Sequence, residues 1–511
     1  MTASSSVPAD SSFPDEPGID STTRPTAPQD DGARMSRHDF TIIALLLVST
    51  FVVILNETVM GLALPRLMDS LGISAARGQW LTTAFMLTMA VVIPITGFLI
   101  RRVATRTLFI LAMSLFSVGT VICAAAPGLT VLVVGRIVQA TGTAIMMPLL
   151  MTTALTLVPM QQRGRVMGNI SIVISVAPAI GPVVSGAILS VLSWRWIFIF
   201  VTPIALAALA VGALLMKNVG ETTRARIDYG SVVLSALAFG GLVYGLSRLG
   251  EVSSGTPVGL PLGSLAVGVL ALLAFGVRQV RLQRDDAALL DLRTFEFRSF
   301  RLAVVMLGVN MMALFGTIIL LPLYLQHVLA LDPLTTGLMM LPGGIVMGVA
   351  APFVGRAYDR IGPRPLLVPG AVLVTLAFLG LGSFGQTTPV WLFVTVYLVM
   401  NLGLALTFTP LFTVGLGALP PHLYSYGSAT VSTAQQVFGA AGTALSVTIA
   451  TAVQTSLVRT GADPIAAEAQ GMRWAFLAGA LLSLIPLGLA FVIRREDPEP
   501  EGEAVEVPEA V

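Results

Sequence analysis

The sequence predicts an all-α polytopic membrane protein, and three observations carry that expectation. The 511-residue chain is 55% hydrophobic and 11% charged, with mean hydropathy +0.87. Its apolar residues fall in recurrent runs of about 20, each long enough to cross a hydrocarbon core of roughly 30 Å. The runs are continuous rather than alternating, which selects helices over barrel strands where no water is present to satisfy the backbone.

Fourteen spans follow: about 40–64, 79–100, 107–126, 129–158, 166–191, 196–216, 229–247, 260–280, 302–325, 335–355, 365–384, 390–413, 428–453 and 473–493. Residues 1–37, rich in Ser, Thr, Pro and Asp, bury too little apolar surface to fold and are expected to be a disordered tail without a cleavable leader. The acidic segment 496–511 is a solvated end. Of the 29 basic residues, 22 fall on the side shared by both termini, so both ends are expected in the cytoplasm. Trp80, Trp194, Trp196, Trp391 and Trp474 all fall at the opposite ends of spans, where an interfacial belt would place them.

An internal repeat organises the spans. The loop of residues 97–106, with Arg101, Arg102 and Arg106, is echoed by residues 355–364, with Arg356, Asp359, Arg360 and Arg364. Residues 139–150 likewise match residues 401–412. This gives a six-helix half at 38–216, two inserted helices and a linker at 217–299, and a second six-helix half at 300–495. In the linker, Leu289, Leu290, Leu292, Phe295 and Phe297 among arginines suggest an amphipathic helix on the membrane surface.

Glu57 is the acid farthest from any span end. A carboxylate in lipid is costly, which makes it a candidate for an ion path, a proton relay or a ligand site. Arg136 lies in span 4, and counting 1.5 Å per residue puts both charges about 11 Å below the same surface. Between a cation and a desolvating environment, the protonation of a carboxylate is set by opposing effects that a modest rearrangement can tip. A proton carrier needs that property, although the same pair would also serve as a static fastener between spans 1 and 4. On span 4, Gln139, Thr143, Met146 and Met147 continue the stripe of Arg136, and with Asn56, Asn401 and Gln435 they form the candidate substrate cavity. A methionine stripe is also ordinary packing, and amides also fasten helices.

These residues sit in motifs. Residues 56–65, Gly135 to Gly142 with Arg136 and Gln139, Gly181-Pro182 with Gly186, residues 194–198, and the 355–364 loop resemble the signatures of the major facilitator superfamily (MFS). Fourteen spans point to its drug:proton antiporter-2, EmrB/QacA-like branch, with the wording around Glu57 most similar to lincomycin-resistance-type members. The resemblance implies alternating access, proton-coupled export of drug-like small molecules, antibiotic resistance, a bacterial cytoplasmic membrane and no cofactor; whether an adaptor protein takes part it leaves open. It associates Gly181-Pro182 with antiport, and Gly355, Asp359, Arg360 and Arg364 with gating. One departure stands out: the first cytoplasmic loop of the family carries an Asp where this chain has Arg101, so that role transfers only to Asp359, which would otherwise be a solvated turn.

Span 5 also carries Ala177, Gly181 and Ser185 at four-residue spacing, a small-residue strip suited to close helix approach. Other classes are disfavoured. The one lysine, Lys217, precedes Asn218, so there is no phosphate-binding loop for an ATP-driven pump. His38, His327 and His422 stand apart and Cys123 is the one cysteine, which leaves no enzyme or metal cluster. The expected partners are a small drug-like molecule, protons and the lipid bilayer, with no nucleic acid. An exporter of an endogenous metabolite or amino acid on the same fold remains the alternative to a drug exporter.

Overall fold

Each apolar run folds as a helix because a lipid-facing backbone must satisfy its own polar groups. A computed structural model describes residues 36–73, 75–78, 80–219, 228–249, 258–285 and 287–493. Nearly all of the 1–37 tail and the whole of 496–511 lie outside the described residues. Among the described residues, fourteen helices are long and apolar enough to cross a membrane. They are α1 (Arg37–Leu71), α2 (Trp80–Arg102), α3 (Thr105–Ala124), α4 (Leu129–Leu157), α5 (Arg163–Val191), α6 (Arg195–Leu215), α7 (Tyr229–Leu249), α8 (Gly259–Leu282), α9 (Arg298–Leu323), α10 (Pro333–Ile361), α11 (Arg364–Leu381), α12 (Val390–Gly417), α13 (Tyr424–Arg459) and α14 (Pro464–Ala490).

The packing repeats with the sequence. Helix α1 lies against α4, α5 and α6, and α9 lies against α12, α13 and α14 in the same way. Helix α4 also packs on α2 and α3, as α12 does on α10 and α11. The chain is therefore an all-α bundle of two six-helix halves joined through α5 on α10 and α2 on α13. An even number of spans brings the start of α1 and the end of α14 to one side, called here the terminal face; the other is the distal face.

Several helices overrun the apolar runs that predict them. Helix α1 continues through Pro65 to Leu71, and α14 begins at Pro464 rather than near 473. There the Asp463 carboxylate caps the helix by accepting from Ala466 N, 2.9 Å away. Hydropathy registers only the lipid-immersed turns, so polar overhangs escape it. The tryptophan belt also needs a correction. Trp80, Trp196, Trp391 and Trp474 are exposed, but Trp194 is buried beneath the Arg195 guanidinium, which lies 4.3 Å from its ring centre.

The inserted helices α7 and α8 pack on each other, and α7 sits against α2 and α13. Glycines make the pairing close, with Gly241 and Gly268 backbone against backbone. Asp228, just before α7, accepts from Arg278 Nε and Nη2 at 2.6 and 2.8 Å. Gln279 donates to Ser231 Oγ at 2.7 Å, and its carbonyl oxygen accepts from Leu289 N at 2.7 Å and Leu290 N at 3.2 Å. The linker therefore departs from the expected surface helix. It has a short 3-10 turn at Gln283–Asp285 and a second at Leu292–Glu296, with non-helical residues at 287–291 before the second. Leu289 and Leu290 are buried among Phe98, Phe239 and Phe275 instead of facing lipid. Burial against α2 and α7 removes more apolar surface from water than lying flat at an interface would.

The hydrogen bonds from Arg278 hold the Asp228 carboxyl well below the usual carboxylate range. A lowered folded value stabilises above the unfolded value, near 3.9, and the contribution fades as pH falls below about 4. Asp228→Asn is therefore expected to lower the unfolding temperature of detergent-purified protein at neutral pH. The gap from wild type should begin to narrow as pH drops below about 4 and close only as pH falls through the far lower folded value; an equal gap throughout would remove the carboxylate from the account.

Candidate functional site

Helix α5 sets the geometry around Glu57. Its small residues Ala177, Gly181 and Ser185 share one face, as their spacing predicts, and that face meets α1. A methyl group at Gly181 would collide with the Thr58 hydroxyl, and Ser185 Oγ donates to Val59 O at 3.0 Å. Thr58 Oγ1 in turn donates to Leu55 O at 3.0 Å and reaches Ala177 O at 3.5 Å. Without a hydrophobic drive between helices in lipid, such backbone-close packing and interhelical hydrogen bonds supply the attraction. The contact falls on the two residues after Glu57, which is itself half-buried. Pro182 follows within the same helix.

Arg136 is fully buried in α4, but it does not ion-pair with Glu57 as depth alone suggests. Among the described residues the two form no salt bridge. Its Nη1 donates to Gln139 Oε1 at 2.7 Å, and Gln139 Nε2 donates to Thr120 Oγ1 of α3 at 2.8 Å. The guanidinium lies over the Phe85 ring of α2, 3.9 Å from its centre, a desolvated cation–π contact of about 2 kcal/mol. The equal-depth argument ended α1 at Leu64, whereas the helix continues seven residues further. Phe85 carries no motif, so its role was not legible in the sequence.

The other cavity candidates divide by burial. Met146 belongs to the main hydrophobic core and Thr143 donates to Gln139 O at 3.0 Å, both inside packed helix interfaces. Gln139 is likewise buried, and Asn401 Nδ2 donates to Tyr397 O of its own helix at 2.8 Å. Asn56 is buried, with neither amide atom hydrogen-bonded among the described residues. Ser49 and Thr50, below it on α1, are in the same position. Met147 and Gln435 are half-buried. The stripe on α4 is therefore structural through Met146 in this conformation rather than a continuous accessible wall.

At the terminal face the two halves are fastened together. Asp359, near the end of α10, accepts from Gly164 N at 2.9 Å and Arg165 N at 3.1 Å. A carboxylate at the first turn of α5 meets both unpaired backbone donors and the positive end of the helix dipole. The approach requires glycine, since a side chain at Gly355 would strike the Gly164 carbonyl. Thr152 and Ser428 hydrogen-bond at 2.7 Å, and Thr409 donates to Ser171 at 2.9 Å. Arg364 does something different: it donates to Ile493 O at 3.1 Å and to Phe491 O, tying α11 to the end of α14 within one half. Arg360 is exposed.

A bundle of fourteen membrane-length helices packed as two repeated halves has the architecture of a membrane transporter. The sequence profile of the Major Facilitator Superfamily matches residues 46–443, and the chain belongs to that family. Over 459 residues it is 39% identical to the lincomycin resistance protein LmrB of Listeria monocytogenes, covering 89% of this chain and 96% of the relative. It is 41% identical to the MFS-type transporter YcnB of Bacillus subtilis, over 89% and 95% of the two chains. The multidrug resistance protein B homolog of Mycobacterium tuberculosis is 30% identical over 76% and 72%. Among solved structures, the fucose:proton symporter FucP of Escherichia coli shares the fold with TM-score 0.59 at 14% identity, over 90% of this chain and all of the other.

Gly181→Val is expected to wedge α5 away from Thr58 and lower the unfolding temperature. Overpacking of this kind costs about 1–3 kcal/mol, and Gly186→Val, where a methyl group meets open space, serves as the control. Equal thermal stability of the two variants would show that the α1–α5 seam is not closely packed.

Proposed function

We propose that this chain is a proton-coupled antiporter of the bacterial cytoplasmic membrane that exports amphipathic drugs or other toxic small molecules by alternating access, with both termini cytoplasmic. The single observation that carries the proposal is Glu57, a carboxylate deep in a span and one residue from the α1–α5 seam, within the electrostatic reach of a buried arginine. The names of the relatives supply the substrate class, since two of them are resistance proteins for lincomycin and for multiple drugs.

In this reading the terminal face is cytoplasmic and the structure is closed there. A proton arriving from the distal side neutralises Glu57. The charge on α1 changes beside the residues that α5 grips, and α5 carries the Asp359 contact at its far end, 17 residues or about 26 Å away. One helix thus joins the titrating group to the gate. Release of Asp359 from the α5 N-terminus opens the cytoplasmic side to substrate. Arg136 supplies the fixed positive charge against which Glu57 titrates, with Phe85 and Gln139 holding it in place.

The charge inventory points to the substrate. With one embedded carboxylate committed to protons and one embedded arginine, a dication would meet no fixed partner, and desolvating two charges costs several kcal/mol or more. Neutral or singly cationic compounds are the expected cargo.

Glu57→Gln keeps the shape of the side chain and loses its titration. In proteoliposomes with an imposed pH gradient, the variant is expected to insert and fold normally yet lose uphill export of a monocationic dye. Uphill export at the wild-type rate would remove Glu57 from proton coupling. Asp359→Asn, which weakens the α5 cap by about 1 kcal/mol, is expected to slow turnover while leaving the dependence on the pH gradient in place. Turnover at the wild-type rate would mean that Asp359 does not gate.

A further inference from the structure

Where the sequence lacks the acid of the first loop, the structure supplies another fastening. Arg101 stands four residues after Gly97, as Asp359 stands four after Gly355. Gly97 packs closely on Ser425 and Ala429 of α13, as Gly355 packs on Gly164 of α5. In place of a carboxylate on helix donors, Arg101 Nη1 donates to the Tyr426 hydroxyl at 2.8 Å and its guanidinium lies 5.0 Å from that ring centre. The Tyr426 hydroxyl then donates to Ala288 O at 3.3 Å, so the linker between α8 and α9 enters the same contact.

Two residues earlier the arrangement recurs. Arg163, the first residue of α5, donates from Nη2 to the Tyr424 hydroxyl at 2.8 Å and lies 5.2 Å from the ring centre. It also donates to Leu155 O at 3.1 Å, which anchors it to the end of α4. Both tyrosines are buried, at 4% and 2% exposure, so each contact is largely shielded from water. One short segment of the second half thus receives two arginines from two different helices of the first.

We propose that Tyr424 and Tyr426 are gate residues: a paired tyrosine clamp that accepts Arg163 and Arg101 and, alongside the Asp359 contact, holds the terminal face shut. The clamp deepens the alternating-access reading and rests on it. Its logic differs from that of Asp359. An acid in place of Arg101 would bind the positive end of α13 through its backbone, as Asp359 binds α5. An arginine there would be repelled by the same dipole, and the tyrosine ring and hydroxyl give it a negative face and an acceptor instead. Because the Tyr426 hydroxyl also bonds to Ala288, opening this side releases the linker, and the inserted helices acquire a role in the cycle through Gln279, whose carbonyl oxygen holds the adjoining Leu289 and Leu290.

The test measures the gate without drug or proton gradient, so it stands apart from any failure of Glu57 as the coupling group. Spin labels at Met160→Cys and His422→Cys, exposed positions on the terminal-face turns before α5 and α13, report the distance across the closed face in nanodiscs. Cys123 is fully buried and out of reach of the label. Replacing both tyrosines with leucine is expected to raise the ratio of long to short distances about threefold or more, since each loses a cation–π contact and a charged hydrogen bond. Tyr424→Phe with Tyr426→Phe keeps the ring faces and should give a smaller shift in the same direction. Distance distributions identical to wild type in the leucine variant would overturn the proposal. If the leucine variant fails to fold, an unchanged distribution in the phenylalanine variant overturns it.

Discussion

The structure depends on how closely α5 approaches its neighbours. In lipid, apolar side chains gain little by meeting each other, so helices that must stay together do so through small residues and exposed backbone. Helix α5 meets that requirement on two sides. Ala177, Gly181 and Ser185 admit α1, and Gly164 and Gly168 admit α10 from the other half. A helix with bulky residues at these positions would hold one partner or the other at ordinary distance, and the charge-bearing turn of α1 would lose its connection to the Asp359 contact.

The buried polar groups follow from the same economy. Arg136 is tolerated at full burial because Phe85, Gln139 and the Gln139–Thr120 hydrogen bond together replace part of its hydration. Asn56, Ser49 and Thr50 lack such replacements among the described residues, although they share the helix that carries Glu57. Polarity concentrated along one buried face of α1 is costly for folding, and a helix that stores this cost beside a carboxylate is suited to respond when the charge changes.

The terminal face shows two solutions to one problem. In the proposed alternating-access cycle, both halves must hold each other by contacts strong enough to close and weak enough to release. One is a carboxylate on the backbone of a helix terminus; the other is a pair of arginines on aromatic rings, one of them, Arg163, next to the residue the carboxylate caps. The sequence repeat places these sites symmetrically, and the exchange of acid for arginine breaks the chemical symmetry without breaking the geometric one.

The sequence by itself determined the number of spans, the division into two halves with an insertion, the family, and the identity of Glu57 and Arg136 as embedded charges, because apolar run length and the cost of charge in lipid are local properties. It also anticipated the strip on α5 and singled out Asp359 as a candidate. Which surfaces those residues meet was decided only by tertiary structure. The strip selects α1 and Asp359 selects the α5 terminus, whereas Arg136 turns to Phe85 and Gln139 rather than contacting Glu57. Leu289 and Leu290, periodic enough to suggest a surface helix, went into the core because Gln279 satisfied their backbone there. Tyr424 and Tyr426 carried no signal at all, since a cation–π partner is recognised by the direction from which an arginine arrives, and that direction exists only once two distant helices have been packed together.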